Sequence, residues 1–235
     1  MEATSLSNDG ASGRIQRIVA ILEEMYGVPP ARREDPLDAL VATVLSQNTS
    51  DVNSGRAFRS LKERFPSWEA VREADVRDVA DAIRTGGLAD VKAARIQGIL
   101  DHLHSEGGSA SLDFLERLDT RAAQEYLVSL DGVGPKTAAC TLLFGCGMPV
   151  LPVDTHVLRV ARRLGLVSER CGAEAAHEAM AYVVPPDLVY PLHVNMIVHG
   201  RRRCRPQRPR CDGCLLAPEC TRSPERTLGK ENASE

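Results

Sequence analysis

The chain has 235 residues, of which 43% are apolar and 26% charged, and its formal net charge is −3. This balance is typical of a globular protein of one or two domains and excludes a disordered or fibrous chain. A negative net charge means that any nucleic-acid surface must be a local patch. Aromatic residues make up only 4%, which argues against single-strand binders that stack bases on aromatic side chains.

Membrane and secretory segments are not predicted. The longest run without charge, residues 137–153, contains Gly and Pro and is shorter than a membrane span. The N-terminus has neither the basic start nor the apolar stretch of a secretory signal. We therefore expect a cytoplasmic protein whose cysteines are thiols or metal ligands rather than disulfides.

Helical periodicity follows a small, polar segment, residues 1–13, that is expected to be a flexible tail. The first apolar stripe begins at Ile15, and Asp35 and Pro36 have the residue types that begin the next helix. Further helices are predicted at about residues 50–64, 75–84, 90–104, 119–130, 135–144, 154–164, 173–183 and 187–199. No segment alternates as a strand would, so the predicted fold class is all-α. Residues 222–235 are expected to form a second flexible tail.

The segment Leu130–Ala138 joins two of these helices through Gly132 and Gly134. Glycine permits a positive φ and a close backbone approach, and Pro135 suits the first position of the second helix. Backbone N–H groups at such a helix start can bind an anion such as a DNA phosphate. A tight turn between helices explains the same residues, so Gly132 and Gly134 are candidate DNA-binding residues only.

Lys136 falls in the first turn of that second helix, where the macrodipole disfavours an ammonium. It is therefore expected either to contact a DNA phosphate or to act as a neutral amine, which is a nucleophile. Asp154 follows an apolar loop rich in Gly and Pro, and its position predicts the N-cap of the next helix. A capping carboxylate that also faces a cleft could take part in catalysis.

Four cysteines follow the last predicted helix with the spacing C-x6-C-x2-C-x5-C: Cys204, Cys211, Cys214 and Cys220. Clustered thiols in a cytosolic protein are more often metal ligands than disulfides. Zinc and an iron–sulfur cluster both accept four thiolates, and the spacing leaves both open.

Residues 201–210 contain six Arg and no acid. Arg205, Arg208 and Arg210 lie between the first two cysteines, where a metal would anchor the loop. Guanidinium groups pair bidentately with phosphate oxygens, so these three are candidate DNA-binding residues. A solubilising charge run is the alternative.

The order of these features resembles that of the endonuclease III family of DNA glycosylase/lyases, in the helix-hairpin-helix Gly/Pro–Asp superfamily. The hairpin with Lys136 comes first, then the loop into Val153–His156, then His199–Arg201 and the four cysteines. The likeness covers residues 14–221.

The resemblance implies two helical domains with DNA held in the cleft between them. One would be a helical barrel, residues 36–148, that contains the helix-hairpin-helix. The other, residues 14–35 plus 149–221, would carry a [4Fe–4S] cluster on the four cysteines.

The resemblance also implies the chemistry. Lys136 would be the nucleophile and Asp154 its carboxylate partner, acting on a damaged nucleotide flipped out of the duplex. The implied function is removal of oxidised pyrimidines from duplex DNA, followed by strand cleavage at the abasic site by β-elimination.

Two loops depart from the family pattern. In Leu45–Asp51, Asn48 occupies the place of the glutamine that fills the hole left by the flipped base, and Gln47 stands one place earlier. Either amide could serve. Leu88 matches the leucine that wedges into the opposite strand, but Ala89 replaces a tyrosine that often follows it.

The expected partner is double-stranded DNA that contains damaged bases or abasic sites, bound by a monomer and without a membrane. In a bacterium the protein would be nucleoid-associated. Two alternatives stay open: a glycosylase for mismatched uracil or thymine or for ultraviolet photodimers, and a non-catalytic helix-hairpin-helix DNA-binding protein with structural zinc.

Overall fold

The computed structural model describes residues 8–222, and all regular secondary structure in that range is helical. The α-helices are α1 (Asn8–Tyr26), α2 (Pro36–Ser46), α3 (Asp51–Arg64), α4 (Trp68–Glu73), α5 (Val76–Ala82), α6 (Ala89–Gly107), α7 (Thr120–Ser129), α8 (Pro135–Cys140), α9 (Thr155–Leu164), α10 (Ala173–Val183) and α11 (Val189–Arg202). Short 3-10 turns lie at Arg84–Gly86, Asp113–Arg117, Pro186–Leu188 and Ala217–Glu219, and a π-helical turn, Thr141–Cys146, continues α8. The predicted all-α fold is confirmed. None of the described helices is long and apolar enough to span a bilayer.

Local sequence explains where many helices begin. Six of the described helices follow an Asp or Ser whose side chain accepts a backbone N–H of the first turn: Asp35, Ser50, Ser67, Asp75, Asp119 and Asp154. Each such cap contributes about 1 kcal/mol to helix stability. The N-caps at Asp35 and Asp154 were both predicted.

Helices α2 to α8 belong to one compact unit, Arg32–Met148. Its core is centred on α2, which packs against α3, α8 and the π-helical turn and fully buries Leu40 and Val44. Gly145 allows the closest of these approaches, because a Cβ there would lie 2.6 Å from Pro36 Cα. A larger residue would force α2 and the π-helical turn apart.

Helices α1 and α9 to α11 belong to a second unit, residues 8–31 with 149–222. Helix α11 packs against both α1 and α9, and its Leu192 and Met196 are fully buried, as are Ile18 and Leu22 of α1. The two stretches of sequence thus share one apolar core.

The structure corrects the N-terminal part of the prediction. The tail expected for residues 1–13 is wrong for residues 8–13, which form the first turns of α1. This segment contains no proline to stop a helix, and Arg17 Nη1 donates a hydrogen bond back to Gly13 O at 3.3 Å. Residues 1–7 lie outside the described residues.

Two other boundaries differ from expectation. The first unit begins at Arg32 rather than residue 36, because Glu34 N donates to Phe144 O at 2.9 Å within that unit. Helix α4 was missed since its mixed charges resemble a solvated surface, yet it buries Trp68, whose Nε1 donates to Asp38 Oδ1 at 3.0 Å. The tail predicted for residues 222–235 lies outside the described residues, apart from Arg222.

Candidate functional site

Helices α7 and α8 and the short turn between them form a helix-hairpin-helix. Leu130 ends α7, and Gly132 adopts a φ of 73°, a conformation that favours glycine. Gly134 is the N-cap of α8 and Pro135 its first residue. Because Gly134 has no capping side chain, N–H groups of the first turn remain available for an anion.

Lys136 is the half-buried residue that follows Pro135 in the first turn of α8. The next three residues, Thr137 to Ala139, are buried. The amine-bearing side chain is therefore fixed at its base by a packed helix while remaining partly open to solvent.

Gln47 connects the hairpin to helix α6. Its Oε1 accepts a hydrogen bond from Arg95 Nη1 at 2.9 Å, and its Nε2 donates to Thr137 Oγ1 at 3.3 Å. Arg95 also lies against Gly132, where an added Cβ would come within 1.9 Å of its Nε. No sequence motif indicates Arg95, and only the folded chain shows that this side chain joins three segments.

Two loops contain non-glycine residues with positive φ: Gln47–Asn48 and Gly87–Leu88. We name them the filler loop and the wedge loop after the roles that the family resemblance implies. Asn48 has a φ of 54° and is exposed, whereas Gln47 is half-buried. Leu88 has a φ of 49°, and the residue is 59% exposed, which is unusual for leucine. Each loop therefore presents one side chain outward from a constrained backbone.

Asp154 caps α9 as predicted, and its Oδ1 accepts the Val157 N–H at 2.7 Å. The preceding loop is anchored on both sides. Val153 N donates to His177 Nε2 at 3.1 Å, and Pro152 O contacts His193 Nδ1 at 2.9 Å. Burial lowers the pKa of His177, which keeps the ring neutral and able to accept. The carboxylate is half-buried on a well-supported helix start.

All four predicted metal ligands, Cys204, Cys211, Cys214 and Cys220, line one cavity of about 250 Å³. Arg163 Nη1 donates to Cys204 Sγ at 3.1 Å, the interaction that a thiolate favours. Burial raises the pKa of Cys146, which does not line this cavity, to about 11, and it also raises the pKa of Cys214 within the cavity.

The four thiols line one cavity, and both a zinc ion and an iron–sulfur cluster accept four thiolates. Within residues 8–222, no group of three or more His, Cys, Asp or Glu side chains is arranged to hold a metal ion. The donor set is therefore compatible with either metal centre.

The arginines of the loop divide into two groups. Arg203 is a brace, because its Nη1 donates to Asp212 O at 2.7 Å and to Arg210 O at 3.2 Å. Arg205, Arg208 and Arg210 are exposed, and Arg208 has a φ of 51°. The three arginines proposed for DNA contact are therefore the ones with solvent-accessible guanidinium groups.

Helix α9 holds this loop from the side. Arg159 Nε donates to Cys204 O at 2.9 Å, and Arg163 donates to Arg205 O at 2.8 Å and to Pro206 O at 3.0 Å. The helix that begins after Asp154 thus ends against the first cysteine of the cavity. The hairpin, filler loop and wedge loop belong to the other unit.

Comparison with protein families gives one match that spans most of the chain. The model of the HhH-GPD superfamily base excision DNA repair protein family matches residues 41–186. A protein of Arabidopsis thaliana that is named as a candidate DNA glycosylase is 39% identical over 168 residues, which cover 72% of this chain. This chain spans 57% of the length of that relative.

A second relative and a solved structure match over greater shares of their length. Endonuclease III of Thermotoga maritima is 38% identical over 189 residues, which cover 80% of this chain and 84% of that protein. The structure of a trapped endonuclease III–DNA covalent intermediate superposes with a TM-score of 0.78 at 24% identity, over 94% of this chain and 99% of the other. The overall fold is therefore shared.

Proposed function

This chain belongs to the HhH-GPD superfamily of base excision DNA repair proteins and to its endonuclease III family, and from that premise we propose that Lys136 and Asp154 catalyse base removal and strand cleavage. The family resemblance predicted from the sequence is confirmed. Base excision by a DNA glycosylase, with the abasic-site lyase activity typical of the family, is the function that this membership supports.

Lys136 is the observation that carries the proposal. It stands in the first turn of α8, immediately after the hairpin, in a chain of this family. A glycosylase that only removes bases needs to activate water, whereas an amine at this place can bond to the sugar itself. The presence of Lys136 therefore implies both base removal and strand cleavage.

The reaction begins when the Lys136 amine attacks C1′ of the flipped nucleotide. An Nζ–C1′ bond forms, the electron pair of the glycosidic bond leaves with the base, and the base takes up a proton. The sugar ring then opens at its C1′–O4′ bond, O4′ is protonated, and loss of the amine proton gives an imine. Removal of a C2′ proton expels the 3′ phosphate, and water later releases Lys136 from the sugar aldehyde.

Asp154 supports these steps through its charge. One oxygen accepts from the Val157 N–H, which fixes the carboxylate while leaving the other oxygen for the substrate. We propose that it stabilises positive charge on the sugar and takes part in deprotonating Lys136.

Asn48 is the residue that we propose fills the hole left by the flipped base. Gln47 would have to give up hydrogen bonds to Arg95 and Thr137 before it could do so. Asn48 is exposed and needs no such exchange. Leu88, also exposed, would wedge into the opposite strand.

We propose that Cys204, Cys211, Cys214 and Cys220 hold a [4Fe–4S] cluster, as in the endonuclease III family. When bound, the cluster would cross-link the loop by four metal–thiolate bonds. The loop would then present Arg205, Arg208 and Arg210 to DNA phosphates, and Gly132 and Gly134 would let the hairpin backbone approach another phosphate.

The proposed substrates are oxidised pyrimidines in duplex DNA, bound by a monomer in the cytoplasm, at the nucleoid if the cell is bacterial. Ala89 lies next to the wedge where a larger side chain is common in the family, so the lesion pocket and its preference need direct measurement. A panel of duplexes with thymine glycol, mismatched uracil or thymine, and photodimers distinguishes the family's possible substrates.

Borohydride trapping on a duplex with an abasic site tests the catalytic assignment. We expect a reduced protein–DNA cross-link in the unaltered protein and in Lys62→Ala, and a fall of about 100-fold or more in Lys136→Ala, because no imine can form. Asp154→Asn keeps a good N-cap and should also lose most of the cross-link rate.

Normal trapping by Lys136→Ala would refute its role as the nucleophile. A colourless protein that holds one zinc ion and gives no cross-link would instead favour a non-catalytic DNA-binding protein.

A further inference from the structure

Lys92 is a fully buried cation in the core of the unit Arg32–Met148. The residue is only 2% exposed, and its Nζ donates to Leu45 O at 2.7 Å and to Gly86 O at 2.8 Å. Burial lowers the pKa of Lys92, and the nearby Arg95 charge lowers it further. A buried ammonium costs free energy unless its partners are well placed, so this one calls for an explanation.

Both acceptors lie at the ends of helical segments. Leu45 is the second-to-last residue of α2, and Gly86 is the last residue of the 3-10 turn Arg84–Gly86. Carbonyl groups in the final turn of a helix lack helical partners and carry partial negative charge. One ammonium therefore donates to carbonyl groups at the ends of two separate helical segments.

The filler loop follows the end of α2, and the wedge loop follows the 3-10 turn Arg84–Gly86. Asn48 and Leu88, which present the outward side chains, both have a positive φ. Such conformations persist in non-glycine residues only when surrounding contacts enforce them. The backbone N–H of Lys92 also donates to Leu88 O in the wedge loop at 3.0 Å. Its side chain donates to Leu45 O and Gly86 O, which come just before the two loops.

We infer that Lys92 is a positioning residue that sets the separation of the filler and wedge loops, so that Asn48 and Leu88 enter the base stack together as a nucleotide is flipped out. The inference rests on the proposed function. Flipping requires both vacated positions to be occupied at once, and anchoring the loops to one ammonium prevents either from drifting.

The test separates base removal, which needs flipping from an intact stack, from reaction at an abasic site, where the base is already absent. Lys92→Met keeps the length and apolar stem but removes the charge and both hydrogen bonds. We expect excision of thymine glycol from duplex DNA, or of whichever lesion the unaltered protein removes, to fall about tenfold or more under single-turnover conditions. Borohydride trapping at a preformed abasic site should fall less than about threefold.

A fluorescent 2-aminopurine opposite the lesion reports stack opening directly, and its signal should fall with the excision rate. Lys62→Met is the matched control, because Lys62 is a partly exposed lysine of the same unit that pairs with Asp38. It should leave both activities unchanged. An equal fall in excision and trapping by folded Lys92→Met, or no fall in excision, would overturn the inference.

Lys92→Arg serves if the methionine variant does not fold. It keeps a cation but changes its shape, and it should reduce excision about threefold without reducing trapping. Equal effects on both reactions, or no effect, would contradict the positioning role. Failure of the unaltered protein to excise or trap would refute the proposed function instead, which keeps the two tests distinct.

Discussion

The filler and wedge loops and the cysteine loop are supported by different means. In the unit Arg32–Met148, buried apolar residues and the hydrogen bonds of Lys92 support the two loops. In the other unit, residues 203–222 contain no helix longer than the turn Ala217–Glu219, and only Leu216 and Ala217 among them are buried. The first region is held by apolar packing and the hydrogen bonds of Lys92, whereas the second is held by arginine hydrogen bonds and, we propose, by the cluster.

The largest expected effect comes from removing one cluster ligand. Cys214→Ser should destabilise the unit of residues 8–31 and 149–222 by more than about 4 kcal/mol, the range seen when a metal site is lost. Hydrogen exchange measured by mass spectrometry should show deprotection of residues 203–221 and much less change within Arg32–Met148.

Cys171→Ser is the control, because Cys171 does not line the cavity. The colour, iron content and hydrogen-exchange pattern of the Cys171→Ser protein should match those of the unaltered protein. Retention of iron and full protection in Cys214→Ser would mean that the cysteine loop does not rely on a cluster.

A smaller effect is expected in the first region, where the two neighbouring amides have different roles. Asn48→Ala should reduce excision of a lesion from duplex DNA by about tenfold, since the vacated position is no longer filled. Gln47→Ala should reduce it about threefold, because it removes only the bonds to Arg95 and Thr137. Single-turnover excision rates measure both.

Asn48→Gln tests the same point from the other side, since it restores the residue that the family commonly has there. Its excision rate should equal or exceed that of the unaltered protein. A greater loss in Gln47→Ala than in Asn48→Ala would assign the filling role to Gln47.

The smallest effect concerns the exposed arginines. Replacing Arg205 and Arg208 with Ala should weaken binding equally on damaged and undamaged duplexes. The slope of log K against log salt should become shallower by up to about two, since each lost phosphate contact contributes about 0.9. Binding isotherms at several salt concentrations measure this. Arg121→Ala, which changes an exposed arginine of the other unit, is the control. A loss limited to one lesion would show base recognition instead.

Features that depend on neighbouring residues in the sequence were predictable. Asp35 and Asp154 were recognised as caps because a cap bonds to a backbone group two or three residues away. Gly132 and Pro135 likewise identify the hairpin by their own backbone preferences. The four cysteines predicted a metal site but could not by themselves distinguish zinc from iron and sulfide.

Features that depend on distant contacts were not predictable. Lys92 lies 47 positions from Leu45, and a lysine on a helix is ordinarily expected at the surface. Arg95 showed no motif, and its contact with Gln47 again joins remote parts of the chain. The separate helix Trp68–Glu73 was missed because its mixed charges resemble a solvated surface, and only the fold shows that Trp68 is buried beside Asp38.

Helix α9 connects two parts of the proposed site within one helix. Its ten residues span about 15 Å, with Asp154 at the start and the Arg163 contact to Cys204 at the end. Because Arg163 contacts Cys204 and Asp154 caps the helix start, α9 links the cysteine loop to the carboxylate of the proposed active site.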